Sequence, residues 1–294
     1  MSEVVLESGP DEGLAWHYGD PFAEQRGMVA GDAVVDLRNR PVLEISGPDR
    51  LSWLHSLSSQ HVSGLRPGES TTALLLSPTG HIEHVLHGTD DGESFVAWTE
   101  PGRRDALIDF LSRMVFMTRV EVRPRDDLRV WWVNGGVRIE ESSVGFEGRP
   151  RAGVWAFEAL RIAAHEPRIF VDTDFKTIPN EIGLYGTHLD KGCYRGQETV
   201  ARVQNLGRPP RRLVGLHLDG SVDALPASGA ALELDGREVG FVGSSARHYE
   251  LGPIGLGLVR RGVATDAELL AEGIAVAQET IVDPEVGLHF RARL

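Results

Sequence analysis

The chain has 294 residues, 41% of them hydrophobic and 25% charged, and a formal net charge of −13. That balance is ordinary for a globular protein of two or three packed units, and no stretch approaches the roughly 18 apolar residues of a membrane span. The negative charge disfavours bulk attraction to nucleic-acid phosphates, and a single cysteine excludes both an internal disulfide and a four-cysteine zinc or iron-sulfur site built from this chain alone.

The N-terminal MSEVVLESGPDEGLAW is acidic and lacks the basic-then-apolar order of a secretory signal, so a cytoplasmic location is expected, with no membrane partner. Apolar alternation through Val42 and Ile45 predicts a strand. The period changes at SGPD, where Asp49 can cap a helix carrying Leu51, Leu54 and Leu57 on one face. TTALLLSPTGHIEHVLHG reads as two strands joined by the turn SPTG, and ESFVAWTE as a third. A helix follows Pro101, with Leu107, Ile108, Leu111, Met114 and Val115 at helical spacing, and RVEVRP is a strand. A second set begins near DLRVWWVNGG and runs to Gly207. Strand pairs punctuated by amphipathic helices predict layered α+β units. Beyond the connector GRPPRR, short apolar runs between glycine turns predict a small all-β domain or barrel. The expected division is residues 1–209, in two units of roughly 1–125 and 126–209, and a C-terminal domain of 210–294. The arginines of GRPPRR read as solvated charges on a stiff connector, and direct nucleic-acid binding is not expected.

Histidines 81, 84 and 87 would align on a helix, but between Gly80 and Gly88 a strand is expected. Strand alternation would then put His84 on the face opposite His81 and His87, which argues against a shared metal.

The chemistry concentrates in DKGCYRGQETVARVQNLG, residues 190–207. Val200, Val203 and Leu206 recur at helical spacing, Gly207 stands at the terminating position and Pro209 follows, so a short helix is expected. Cys193 then lies just before a helix N-terminus, between Lys191 and Arg195. Lysine occurs elsewhere only at Lys176. A helix dipole and two cations would each lower a thiol pKa and make the sulfur nucleophilic; the alternative is a buried cysteine that only packs.

KGCYRGQE, residues 191–198, resembles the K-G-C-[FY]-x-G-Q-E signature of the YgfZ family, within the superfamily of the glycine-cleavage T-protein. LEISGPDRLSWLHSLSSQHVSGLRPGE resembles the segment that opens the T-protein's first folate-binding unit, and IPNEIGLYGTHLDKGCYRGQE its P-x-E-x-x-L region. RRLVGLHL resembles the opening of its C-terminal barrel, so the likeness runs from about Val34 onward.

The resemblance implies an α+β fold: two ferredoxin-like units forming a folate-binding domain, and a C-terminal β-barrel. It implies tetrahydrofolate or a one-carbon folate derivative as cofactor, with Glu181 accepting paired hydrogen bonds from the pterin and flat contact from Tyr185 and Tyr194. Arg195, Gly196, Gln197 and Glu198 complete the expected binding motif. Cys193, with Lys191, would carry the chemistry, and the implied partners are iron-sulfur client proteins, including enzymes that modify tRNA. Two departures bear on activity. The T-protein stretch G-G-x-x-D-D corresponds to TGHIEH, with Glu83 and His84 in place of the aspartates. L-R-x-E-A-G corresponds to LRIAAH, with Ala163 and His165 where Glu and Gly are usual. Where geometry must hold closely, a shifted carboxylate and an imidazole replace an aspartate poorly. A helper of iron-sulfur enzymes is therefore expected ahead of an aminomethyltransferase or demethylase, and ahead of a folate-sensing scaffold.

Overall fold

The computed structural model describes residues 3–287, so the outermost ends of the expected domains lie outside the described residues. In chain order, β1 (Val4–Val5) and β2 (Ala15–His17) form a short ribbon, followed by α1 (Pro21–Val29) and β3 (Val35–Asp36). The first α+β unit comprises β4 (Val42–Ser46), α2 (Arg50–Leu57), β5 (Ser70–Leu76), β6 (Ile82–Asp90), β7 (Ser94–Trp98), α3 (Arg104–Arg113) and β8 (Glu121–Pro124). Its strands make an antiparallel sheet in the order β5-β6-β7-β4-β8. Leu54 of α2 and Leu107 and Leu111 of α3 pack on Ile45, Leu75 and Phe95, a core made by one apolar stripe per helix and one face of the sheet.

Asp49 stands at the N-cap of α2, but its carboxylate does not cap the helix. It accepts instead from the backbone and guanidinium of Arg119, at 2.9 and 2.8 Å. The helix after Pro101 ends at Arg113, one residue before Met114, which is left 39% exposed.

The second unit contains β9 (Leu128–Val133), β10 (Gly136–Glu141) and α4 (Val154–Ala163), and its sheet runs β10-β9-β3. It takes β3 from the N-terminal segment, where Val35 pairs with Trp132. A 3-10 turn (Pro179–Ile182) and α5 (Gln197–Leu206) lead to the barrel. Its strands are β11 (Arg211–Leu218), β12 (Ala231–Leu234), β13 (Arg237–His248), β14 (Gly252–Arg260), β15 (Leu269–Ala271) and β16 (Ile274–Thr280). They close in the order β11-β14-β13-β12-β15-β16, with β11 also paired to β16. The α+β class and the C-terminal barrel are as the sequence predicts.

One apolar hub joins the parts: Leu76 and Val85 from the first sheet, Ile162 from α4, Tyr194 and Val200 from the cysteine region, and Leu256 from the barrel. The region that carries the signature is thus fixed from three sides. No helix among the described residues is long and apolar enough to cross a membrane.

Candidate functional site

Residues 191–197 alternate between inward anchors and outward groups. Lys191 is 6% exposed, and its ammonium donates to the carbonyls of His55 and Ser58 at the end of α2. Those carbonyls belong to the last turn and C-cap of a helix, where orphan acceptors and the negative end of the dipole favour a cation. Burial pulls the Lys191 pKa down to about 8. Tyr194 is 8% exposed within the hub, with the Lys191 ammonium 4.9 Å from its ring centre. Burial pushes its hydroxyl up to about 12. Between these anchors, Cys193 is exposed.

Two further contacts tie the loop. The Gln197 side chain donates to the Lys191 carbonyl at 3.4 Å, and Arg195 pairs with Glu83 at 3.3 Å. Gly196 has φ +82, and a Cβ there would lie 2.6 Å from the Ser77 carbonyl. A Cβ on Gly80 would lie 2.7 Å from that of Thr199. The SPTG turn and the cysteine loop therefore meet backbone to backbone, which only glycine allows at these positions. Glu198 is exposed in the first turn of α5.

The expected surroundings of the thiol are only partly realised. Cys193 does precede a helix N-terminus, three residues before the Gly196 cap gives way to Gln197 and onward. The two flanking cations, however, are committed elsewhere: Lys191 to backbone carbonyls inside the protein, Arg195 to Glu83. A lysine beside a cysteine in sequence points the opposite way here, because the α2 carbonyls compete for it.

A cavity of about 480 Å³ opens between the first sheet and the β10–α4 side of the second unit. One wall is aromatic. The His87 ring lies flat on Trp98, centroids 4.0 Å apart and planes at 17°, with Tyr185 6.4 Å away at an angle. His87 Nδ1 is 3.0 Å from Thr72 Oγ1. Burial holds the His87 pKa down at about 4, so the ring is neutral at physiological pH.

The other wall rests on a buried ion network. Arg168 donates to Asp11 at 2.7 Å, Glu100 at 2.9 Å and Glu158 at 3.1 Å, and Arg161 reaches Glu158, Asp172 and Ser244. A bulge in β13 leaves Gly243 against Asp172, where a Cβ would approach to 2.4 Å, and so lets Ser244 join the network. Burial would lower Arg168, but Glu158, Glu100 and Asp11 hold it well above the usual arginine value. Burial would raise Asp11, but Arg168 and Arg40 hold it well below the carboxylate range. Arg40 is 2% exposed, lines the cavity, and has its Nη2 without a hydrogen-bond partner among the described residues.

A second cavity, of about 780 Å³, lies between the SPTG turn and α3 and includes Glu83, His84 and Arg195. His84, against the Phe110 ring at 5.4 Å, is also held neutral by burial, its pKa down at about 4. His84 and His87 thus line different cavities, as strand alternation predicts. His81 does not side with His87: it precedes β6 and, next to the irregular pairing at Leu75 and Leu76, lines the same cavity as His84.

Of the expected folate contacts, Tyr185 alone lines the first cavity and Arg195 alone the second. Glu181 is 1% exposed. Its oxygens accept from Arg211 Nε and Nη2 at 2.8 and 2.9 Å and from the Ile178 amide at 3.1 Å, so its paired acceptor face is already filled from within the chain. Sequence reasoning weighed His87 only as a metal ligand and did not anticipate Trp98 or the ion network. Glu158 and Arg161, three residues apart on the otherwise apolar VWAFEALRIA, were the available signal.

Residues 211–280 match the glycine cleavage T-protein C-terminal barrel domain. The fold is similar to that of the glycine cleavage system aminomethyltransferase T from Bartonella henselae, with a TM-score of 0.73 and 16% identity, covering 95% of this chain and 94% of that one. In sequence, the chain is 23% identical over 300 residues to a chloroplastic protein of Arabidopsis thaliana carrying a provisional transferase name, covering 83% of this chain and 68% of that one. It is also 23% identical over 278 residues to the mitochondrial iron-sulfur cluster assembly factor IBA57 of Mus musculus, covering 77% and 72%. The barrel match, these relatives and the shared fold together support placing the chain in the glycine-cleavage T-protein superfamily.

Proposed function

We propose that this protein is a folate-binding accessory factor of the YgfZ type that supports the assembly or repair of iron-sulfur enzymes, tRNA-modifying enzymes among them, through Cys193. The observation that carries the reading is the placement of the sulfur. It is exposed on a loop whose neighbours are buried anchors, and it lines neither cavity, which suits contact with another protein better than chemistry on a ligand held inside. Similarity to an iron-sulfur cluster assembly factor points the same way. A thiol so presented can ligate a client's cluster transiently or exchange sulfur with it.

The 480 Å³ cavity is the site this reading gives to tetrahydrofolate or a one-carbon derivative. Its volume falls in the range of small-molecule sites, its flat aromatic wall suits a pterin, and Arg40 retains a donor for an acceptor group. Glu181 enters as the residue that fixes Arg211 and the turn before Tyr185, since its oxygens are taken. Glu83, the residue in the place of a T-protein aspartate, is paired with Arg195 in the other cavity, which weighs against aminomethyl transfer.

The discriminating experiment incubates purified protein with tetrahydrofolate and an aminomethylated or methylated amine. The reading predicts folate binding by calorimetry without multiple turnover. Sustained consumption of the amine, lost in Glu83→Gln and kept in Cys193→Ala, would establish the transferase instead.

A further inference from the structure

The aromatic wall of the first cavity carries a polar arrangement that the T-protein likeness does not assign. Thr72, on β5, has its Oγ1 3.0 Å from His87 Nδ1. A threonine hydroxyl has one proton to give. At His87 Nδ1 it either gives that proton or accepts the ring's, according to the tautomer. The imidazole is neutral, so a proton given by Thr72 to Nδ1 goes with the ring's own proton on Nε2. The ring cannot turn freely because Trp98 covers one face at 4.0 Å.

We propose that His87 is a specificity-determining residue of this cavity, stacked on Trp98 and accepting from Thr72 at Nδ1, so that Nε2–H donates to an acceptor on the edge of a planar heterocyclic ligand. The proposal rests on the folate reading for the identity of that ligand, whose acceptor would be a pterin ring carbonyl or unprotonated ring nitrogen. His87 contributes a flat face and one directed donor. Thr72 acts through it as a positioning residue.

Two measurements test this, and they separate its failure from that of the folate reading. Nitrogen NMR of histidine-labelled protein reports which ring nitrogen of His87 carries the proton, whether or not folate binds. The expected signature is the Nε2–H tautomer in the wild type, with Thr72→Val shifting the population toward Nδ1–H. A wild-type Nδ1–H tautomer would overturn the proposal. Calorimetric titration with 5-formyltetrahydrofolate, a stable reduced folate, then compares wild type with His87→Phe, which keeps a flat ring on Trp98 but lacks the donor. The expected loss is about ten- to thirtyfold in affinity, that of one directed hydrogen bond left unmade, with the melting temperature nearly unchanged. Equal affinities would remove His87 from ligand recognition. If His87→Phe does not fold, His87→Gln, which restores an N–H without the ring, is measured in its place and should retain more affinity than His87→Leu; equal values for those two would also overturn the proposal. Failure of the wild type to bind any reduced folate, with the Nε2–H tautomer present, would sink the folate reading and with it the ligand named here.

Discussion

Replacing Lys191 with methionine tests whether the cysteine loop is anchored as described. The ammonium makes two hydrogen bonds, to the carbonyls of His55 and Ser58, and both acceptors lie at the end of α2. A hydrogen bond to a charged group is worth about 1.5 to 3 kcal/mol, so two amount to roughly 3 to 6 kcal/mol. Against this stands the cost of burying an ammonium, which methionine avoids while filling most of the same volume. The net loss should be about 2 to 3 kcal/mol. In urea, with a slope of about 2 to 3 kcal/mol/M, the midpoint should fall by about 1 M. Methionine also removes the cation near the Tyr194 ring. The loop should therefore loosen, and limited proteolysis between residues 189 and 197 should quicken even in dilute buffer. A midpoint within about 0.2 M of wild type, with unchanged proteolysis, would show that Lys191 does not hold the loop.

Arg168→Met should cost about 3 to 5 kcal/mol, because it leaves Asp11, Glu100 and Glu158 buried with fewer cations; thermal and urea denaturation would show this, and a loss below about 1 kcal/mol would mean the network relaxes around the gap. Asp174, hydrogen-bonded by Arg211, has its pKa lowered to about 2. A depressed carboxylate contributes stability above its ordinary pKa near 4 and loses it as pH falls toward 2. Asp174→Asn should therefore destabilise the protein at pH 6 and converge with wild type near pH 2, if both are followed by urea unfolding; parallel curves across that range would contradict the assignment.

Much of the fold was legible because local rules and tertiary structure agree. Glycine-punctuated apolar runs become the barrel strands, and the helical spacing of Val200, Val203 and Leu206 becomes α5, stopped at Gly207. The site was legible as a motif, less so as a geometry. Charges in a loop ordinarily read as solvated, so nothing local shows that Lys191 turns inward to the end of a helix more than 130 residues earlier. The same holds for Glu181, whose partner Arg211 begins the barrel, and for Asp49, drawn from its helix by Arg119. His81 was placed by strict alternation, which fails where a strand begins beside an irregular pairing. The residues least visible in advance, Arg40, Asp11 and Arg168, share one property: each has a charged partner in a distant segment of the chain.

Cys193 is proposed to work on iron-sulfur partners from outside the ligand cavity. The most direct test is tRNA thiomethylation in cells deleted for this protein and supplied with the Cys193→Ala variant. An exposed loop thiol contributes little packing, so the variant should fold and accumulate like wild type. The variant is expected to fail to restore thiomethylation, whereas the wild-type chain restores it. Full restoration by Cys193→Ala would contradict the account, since every step assigned to the partner passes through that sulfur.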